Sequence, residues 1–68
     1  MAFDPIDFAI ASAREAFDQK QEYGGIGKSI MAYTINVRDT LSEYDRMDAL
    51  DDAILAFCRE VSILSGNA

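Results

Sequence analysis

Sixty-eight residues make one domain at most, and a chain this short buries only ~60% of the surface it exposes when unfolded. Half of the residues are apolar and the formal net charge is −6. That charge argues against sequence-independent nucleic-acid binding, which needs clustered Lys and Arg, and against anionic membrane surfaces; a basic protein surface is the more natural partner.

The first predicted element is a helix over 5–21. Asp4 is its expected N-cap, Pro5 suits the first helical position, and Asp7 meets the positive end of the helix dipole. Phe3 and Phe8 occupy the two positions of a hydrophobic staple. Ile6, Ile10, Ala13 and Phe17 follow at spacings of four, three and four, and form the expected core stripe.

Next comes a glycine-rich bend over 24–28, inside the stretch EYGGIGKSI. Gly24, Gly25, Gly27, Lys28 and Ser29 match the GG-x-GK-[ST] core of the deviant Walker A motif, so these residues resemble the phosphate loop of the nitrogenase iron protein and the chromosome-partitioning ATPases. The resemblance implies glycine amides around phosphates, Lys28 on the β and γ positions and the Ser29 hydroxyl on Mg²⁺. It covers six residues, and Tyr23 stands where that family carries a lysine. A phosphate loop also joins a buried strand to a helix, whereas AFDQKQ, before the bend, is the polar end of an amphipathic helix. The segment therefore reads as a bend: Gly24 or Gly25 takes the left-handed position that ends one helix, and Ser29 caps the next.

A second helix is expected over 29–44, with its stripe at Ile30, Tyr33, Thr34, Val37, Leu41 and Tyr44. A third, over 46–64, carries Met47, Leu50, Ile54, Phe57, Cys58, Val61 and Leu64, and Gly66 is its stop. At ~100° per residue the two stripes are offset by ~130°, so the apolar face slips between Tyr44 and Asp48. Asp45, with Asp48 three residues on, is the expected cap of the new helix. No Gly or Pro marks this slip. Two all-α architectures follow: a small three-helix bundle, or a helical hairpin whose second helix runs ~55 Å and must dimerise to be covered.

The candidate sites are few. Asp45, Asp48, Asp51 and Asp52 form an acidic docking patch; acids here also complement a helix N-terminus, and no calcium-loop spacing is present, so no metal is expected. Cys58 is expected to be a structural thiol within the third stripe, and one cysteine makes no internal disulfide. Tyr23, Tyr33 and Tyr44 read as boundary residues with packed rings and wet hydroxyls. The chain has no histidine, no organised acid, base or nucleophile is legible, and no cofactor is expected.

The informative residues are apolar ones off the main stripes. Met31 and Ile35 lie well off the second, and Leu55 and Ile63 lie ~130–150° from the centre of the third. Together they are the expected partner or dimer interface. The opening MAFDPID lacks the features of a signal peptide and no segment reaches ~20 apolar residues, so the expected setting is cytoplasmic.

The functional expectation is a non-catalytic, acidic interaction module that occupies a partner protein's surface, of inhibitor, antitoxin or adaptor type, as in some phage-encoded inhibitors. Its partner would present a basic or apolar surface, and the chain itself would form a homodimer without contacting nucleic acid or membrane. One alternative is a nucleic-acid mimic of anti-CRISPR type that blocks a basic groove. Another is a ligand-binding or enzymatic site built across a dimer interface.

Overall fold

The computed structural model describes residues 2–66. Its regular structure is entirely helical: α1 (Pro5–Asp18), α2 (Ile26–Glu43) and α3 (Leu50–Leu64), with a single 3₁₀ turn at Met47–Ala49 leading into α3. The longest dimension is 31 Å, far short of the ~55 Å that one continuous helix from the bend to the end would need. The protein is a three-helix bundle.

At the start of α1, Oδ1 of Asp4 accepts the amides of Ile6 at 3.0 Å and Asp7 at 3.2 Å. This satisfies two of the donors that a helix leaves free at its first turn. The Phe3 and Phe8 rings close the staple with centroids 5.6 Å apart. Phe3 also stacks on Tyr44, at 4.1 Å and 6° between planes, tying the entry of α1 to the exit of α2.

Regular helix stops at Asp18, earlier than the expected Gln21, and continues as turns to Gly24. There the chain reverses through a Schellman motif. The Gly24 amide bonds the Gln21 carbonyl at 3.2 Å and the Gly25 amide bonds Lys20 at 2.8 Å. Gly24 has φ +84° and Gly25 φ +133°, values that side chains with a Cβ rarely adopt. The helix restarts at Ile26, so Ser29 is not its cap; it falls at the end of the first turn, on the inner face. There its hydroxyl donates to the Ala16 carbonyl at 2.6 Å with no exposure to solvent.

The slip between α2 and α3 uses the same device without a glycine. Asp45 sits in the left-handed region at φ +56°, its amide bonds Ser42 at 3.1 Å, and the Arg46 amide bonds Leu41 at 2.8 Å. Asp45 thus ends α2 rather than capping α3. The residue at the N-cap of α3 is Ala49, which offers no side-chain acceptor, while Asp51 and Asp52 complement the dipole from the first turn.

Helices α1 and α3 run parallel and α2 runs against both. Arg14, late in α1, donates to Glu60, late in α3, at 2.9 Å, whereas Ser29, early in α2, meets Ala16, late in α1. α1 is the central element: it packs along α3 and α2, while α2 and α3 touch each other only lightly. The core is Ala9, Ala13, Ala16, Val37, Leu41, Ala53 and Phe57, all without solvent exposure. The face that α1 turns inward is therefore its small-residue face, with Ser12 among the alanines, and Ile6, Ile10 and Phe17 are only half-buried. Relative to the expected stripe, α1 is rotated by most of a right angle. Alanines let two neighbouring helices approach a central one closely, while its larger side chains fill the flanks.

Candidate interaction surface

The glycine bend joins two helical segments, and each side chain that a phosphate loop would use has a structural position instead. Ser29, the residue the resemblance would place on Mg²⁺, has its proton committed to the Ala16 carbonyl. That carbonyl lies in the last turn of α1, where Lys20, its partner in a continued helix, bonds Phe17 at 3.4 Å instead. Ser29 thus supplies the donor that the helix end cannot. Lys28 is exposed and folds back over the bend: a Cβ placed on Gly24 would lie 3.7 Å from Lys28 Cδ and 3.9 Å from Nζ. The whole segment GGIGKS is explained by chain reversal and helix packing.

Below the bundle, the start of α1, the 3₁₀ turn and the first turn of α3 enclose an open cleft of about 480 Å³. Phe3, Asp4, Arg46, Asp48 and Asp52 are among its walls. Arg46 bonds Asp48 at 3.0 Å, and Asp45, Asp51 and Asp52 are exposed around the same end. The four expected docking acids thus share one end of the molecule, although Asp48 lies in the 3₁₀ turn and not on the helix with Asp51 and Asp52. Among the described residues no group of three acidic or thiol side chains is arranged to hold a metal ion.

At the opposite end, Tyr23 and Tyr33 meet edge to face with centroids 5.6 Å apart. Burial, then hydrogen bonding to Tyr23 and the charge of Glu15, push the Tyr33 phenol up to about 12. Tyr23 and Tyr44 are exposed, as boundary residues are. Cys58 departs from the sequence reading. Its thiol is free and exposed, because the inward line of α3 is Ala53 and Phe57, and the next position after Phe57 is turned ~100° off it.

The four off-stripe apolar residues are all exposed: Met31 by 66%, Ile35 by 45%, Leu55 by 50% and Ile63 by 56%. The chain as a whole exposes 4524 Å², close to the ~4,200 Å² expected of a folded monomer of its mass. What is unusual is therefore the kind of surface and not its amount. The four residues do not form one group. On α2, Ser29 and Tyr44 are held against α1, so the ~100° step sets Met31, Ile35 and Arg38 on the side away from α1. On α3, Glu60 is turned to α1 by Arg14, and the same step sets Asp51, Leu55 and Cys58 away from α1. Ile63 shares the flank of Glu60. Met31 and Ile35 therefore lie on the outer side of α2 and Leu55 on the outer side of α3, each turned away from the buried residues of its own helix.

Sequence reasoning found these apolar positions from periodicity, but missed Ser29 as a buried polar tie, because a serine after glycines carries a stronger local signal as a cap. No helix among the described residues is long and apolar enough to cross a membrane. No protein-family model, no curated protein and no solved structure matches the chain.

Proposed function

We propose that the protein is a non-catalytic interaction module that acts by occupying the surface of a partner protein, in the manner of an inhibitor, antitoxin or adaptor. The observation that carries this reading is the exposure of Met31 and Ile35 on the outer side of α2 and of Leu55 and Ile63 on the solvent side of α3. Four large exposed apolar side chains on so small a chain suit a binding surface, since their burial supplies affinity. The acids at the base of the bundle, Asp45, Asp48, Asp51 and Asp52, steer the approach toward a basic surface and exclude acidic ones. The exposed free thiol of Cys58 suits a reducing, cytoplasmic setting.

The test is capture of host proteins on the immobilised chain, beside the Leu55→Asp variant and a variant with Asp48, Asp51 and Asp52 changed to Asn. The reading expects a protein held by the wild type and weakened by both variants. Competition by duplex DNA, with steep loss of binding as salt rises, would replace it with nucleic-acid mimicry. Equal capture by all three baits would refute it.

A further inference from the structure

We infer that the cleft at the base of the bundle receives an arginine side chain of the partner protein; the inference rests on the interaction-module reading above. The cleft's volume, about 480 Å³, lies within the ~300–1,000 Å³ of sites that take small ligands. One wall is the entry to α1, and the other is the 3₁₀ turn with the first turn of α3. Phe3, Ile6 and Ala49 give it an apolar lining, while Asp4, Asp48 and Asp52 bring carboxylates from both walls.

The charge of the lining selects a cation. Arg46 is the basic residue of the cleft, and its Nε is already bonded to Asp48 at 3.0 Å. Asp4 and Asp52 make no ion pair among the described residues, so three carboxylates face one guanidinium, an excess of two negative charges. Both capping bonds of Asp4 fall on its Oδ1, which leaves Oδ2 as an acceptor, and Asp52 is exposed. An anion would be repelled by the excess and an apolar group would leave it uncompensated. A cationic side chain offsets it.

Arginine suits these walls better than lysine. Its aliphatic stem can lie along Phe3, Ile6 and Ala49, and its planar fork has donors for carboxylates on two sides, where an ammonium is a more strongly hydrated point charge. The walls are also held before any partner arrives. Phe3 packs on Phe8 and Tyr44, Asp4 is fixed by two amides and Asp48 by Arg46, so little side-chain freedom is lost on binding. The acids at this end therefore differ in role: Asp4, Asp48 and Asp52 line the cleft, whereas Asp51, on the same turn as Asp52, is not part of its walls.

Titration of the isotopically labelled full chain with N-acetyl-arginine amide, followed in amide NMR spectra, tests this. Shifts are expected at Ile6, Ala49 and Asp52, saturating with a dissociation constant of roughly 1–10 mM for so small a probe. N-acetyl-citrulline amide, similar in shape but uncharged, is expected to bind about fivefold or more weakly. Asp52→Asn is expected to weaken the arginine probe about three- to fivefold, the effect of one partly exposed ion pair. Asp51→Asn removes the same charge from the same turn outside the cleft, and is expected to change binding by less than about twofold. Shifts that spread over the acidic surface without saturating, equal binding of the citrulline probe, or equal losses in Asp51→Asn and Asp52→Asn would overturn the proposal. A host protein that is captured, and lost when Asp48, Asp51 and Asp52 become Asn, while the arginine probe leaves the cleft unmoved, removes the cleft and keeps the module reading. An arginine probe that seats in the cleft of a chain that captures no protein keeps the site and removes that reading.

Discussion

Changing Ser29 to Ala isolates the bond that ties the glycine bend to the core. The hydroxyl is fully buried and donates to the Ala16 carbonyl at 2.6 Å, and Lys20 is turned away to Phe17. An ordinary hydrogen bond contributes ~0.5–1.5 kcal/mol net, but a buried acceptor left without any donor costs ~1–3 kcal/mol. The second figure applies here, because water reaches neither group. Loss of one oxygen leaves a void too small for water, so little compensation is expected. Ser29→Ala should therefore destabilise by ~2 kcal/mol, or ~8–16 °C in melting temperature for a domain of this size. Urea unfolding followed at 222 nm measures it, with an unchanged slope as the sign that the unfolded state is the same. Lys28→Ala, one residue away on the exposed side of the bend, is the control and should stay within ~0.5 kcal/mol of the wild type. A Ser29→Ala cost below ~0.5 kcal/mol would show that Ala16 finds another donor, and that the bend is held by its glycines alone.

Other perturbations probe separate parts of the bundle. Asp4→Ala removes the acceptor for two amides and should cost ~0.5–2 kcal/mol in the same unfolding assay; no change would place the true start of α1 elsewhere. Asp45→Gly relieves a left-handed conformation at a non-glycine residue, and a gain of up to ~1 kcal/mol is expected, whereas Asp45→Val should cost more than that. Tyr33 should ionise in an ultraviolet titration only near pH 12. Between the ordinary tyrosine value near 10 and about 12, the unfolded chain has released a proton that the folded one retains. Stability should therefore fall across that window and be unaffected by Tyr33 below it, a loss that Tyr33→Phe removes.

Much of this architecture is legible from local signals. Asp4, Pro5 and the Phe3–Phe8 pair mark the start of α1 because capping and stapling involve residues within one turn of each other. Gly24 marks the reversal because the left-handed region is open to glycine in any context. The change of apolar face between Tyr44 and Asp48 calls for a break, although the residue that makes it, Asp45, does so as a helix terminator. Met31, Ile35, Leu55 and Ile63 are recognisable as misplaced by spacing alone. What only the tertiary structure decided is which way each helix is rolled and what lies beside it. α1 has two candidate faces, one of large residues and one of alanines, and periodicity favours the large. The alanine face is buried because α1 lies between two helices that both need to come close. The same arrangement turns Ser29 into a buried donor for a carbonyl thirteen residues away and leaves Cys58 in solvent. Capping and turn energies are set within a few residues. The roll of a helix is set by neighbours that the local sequence does not contain.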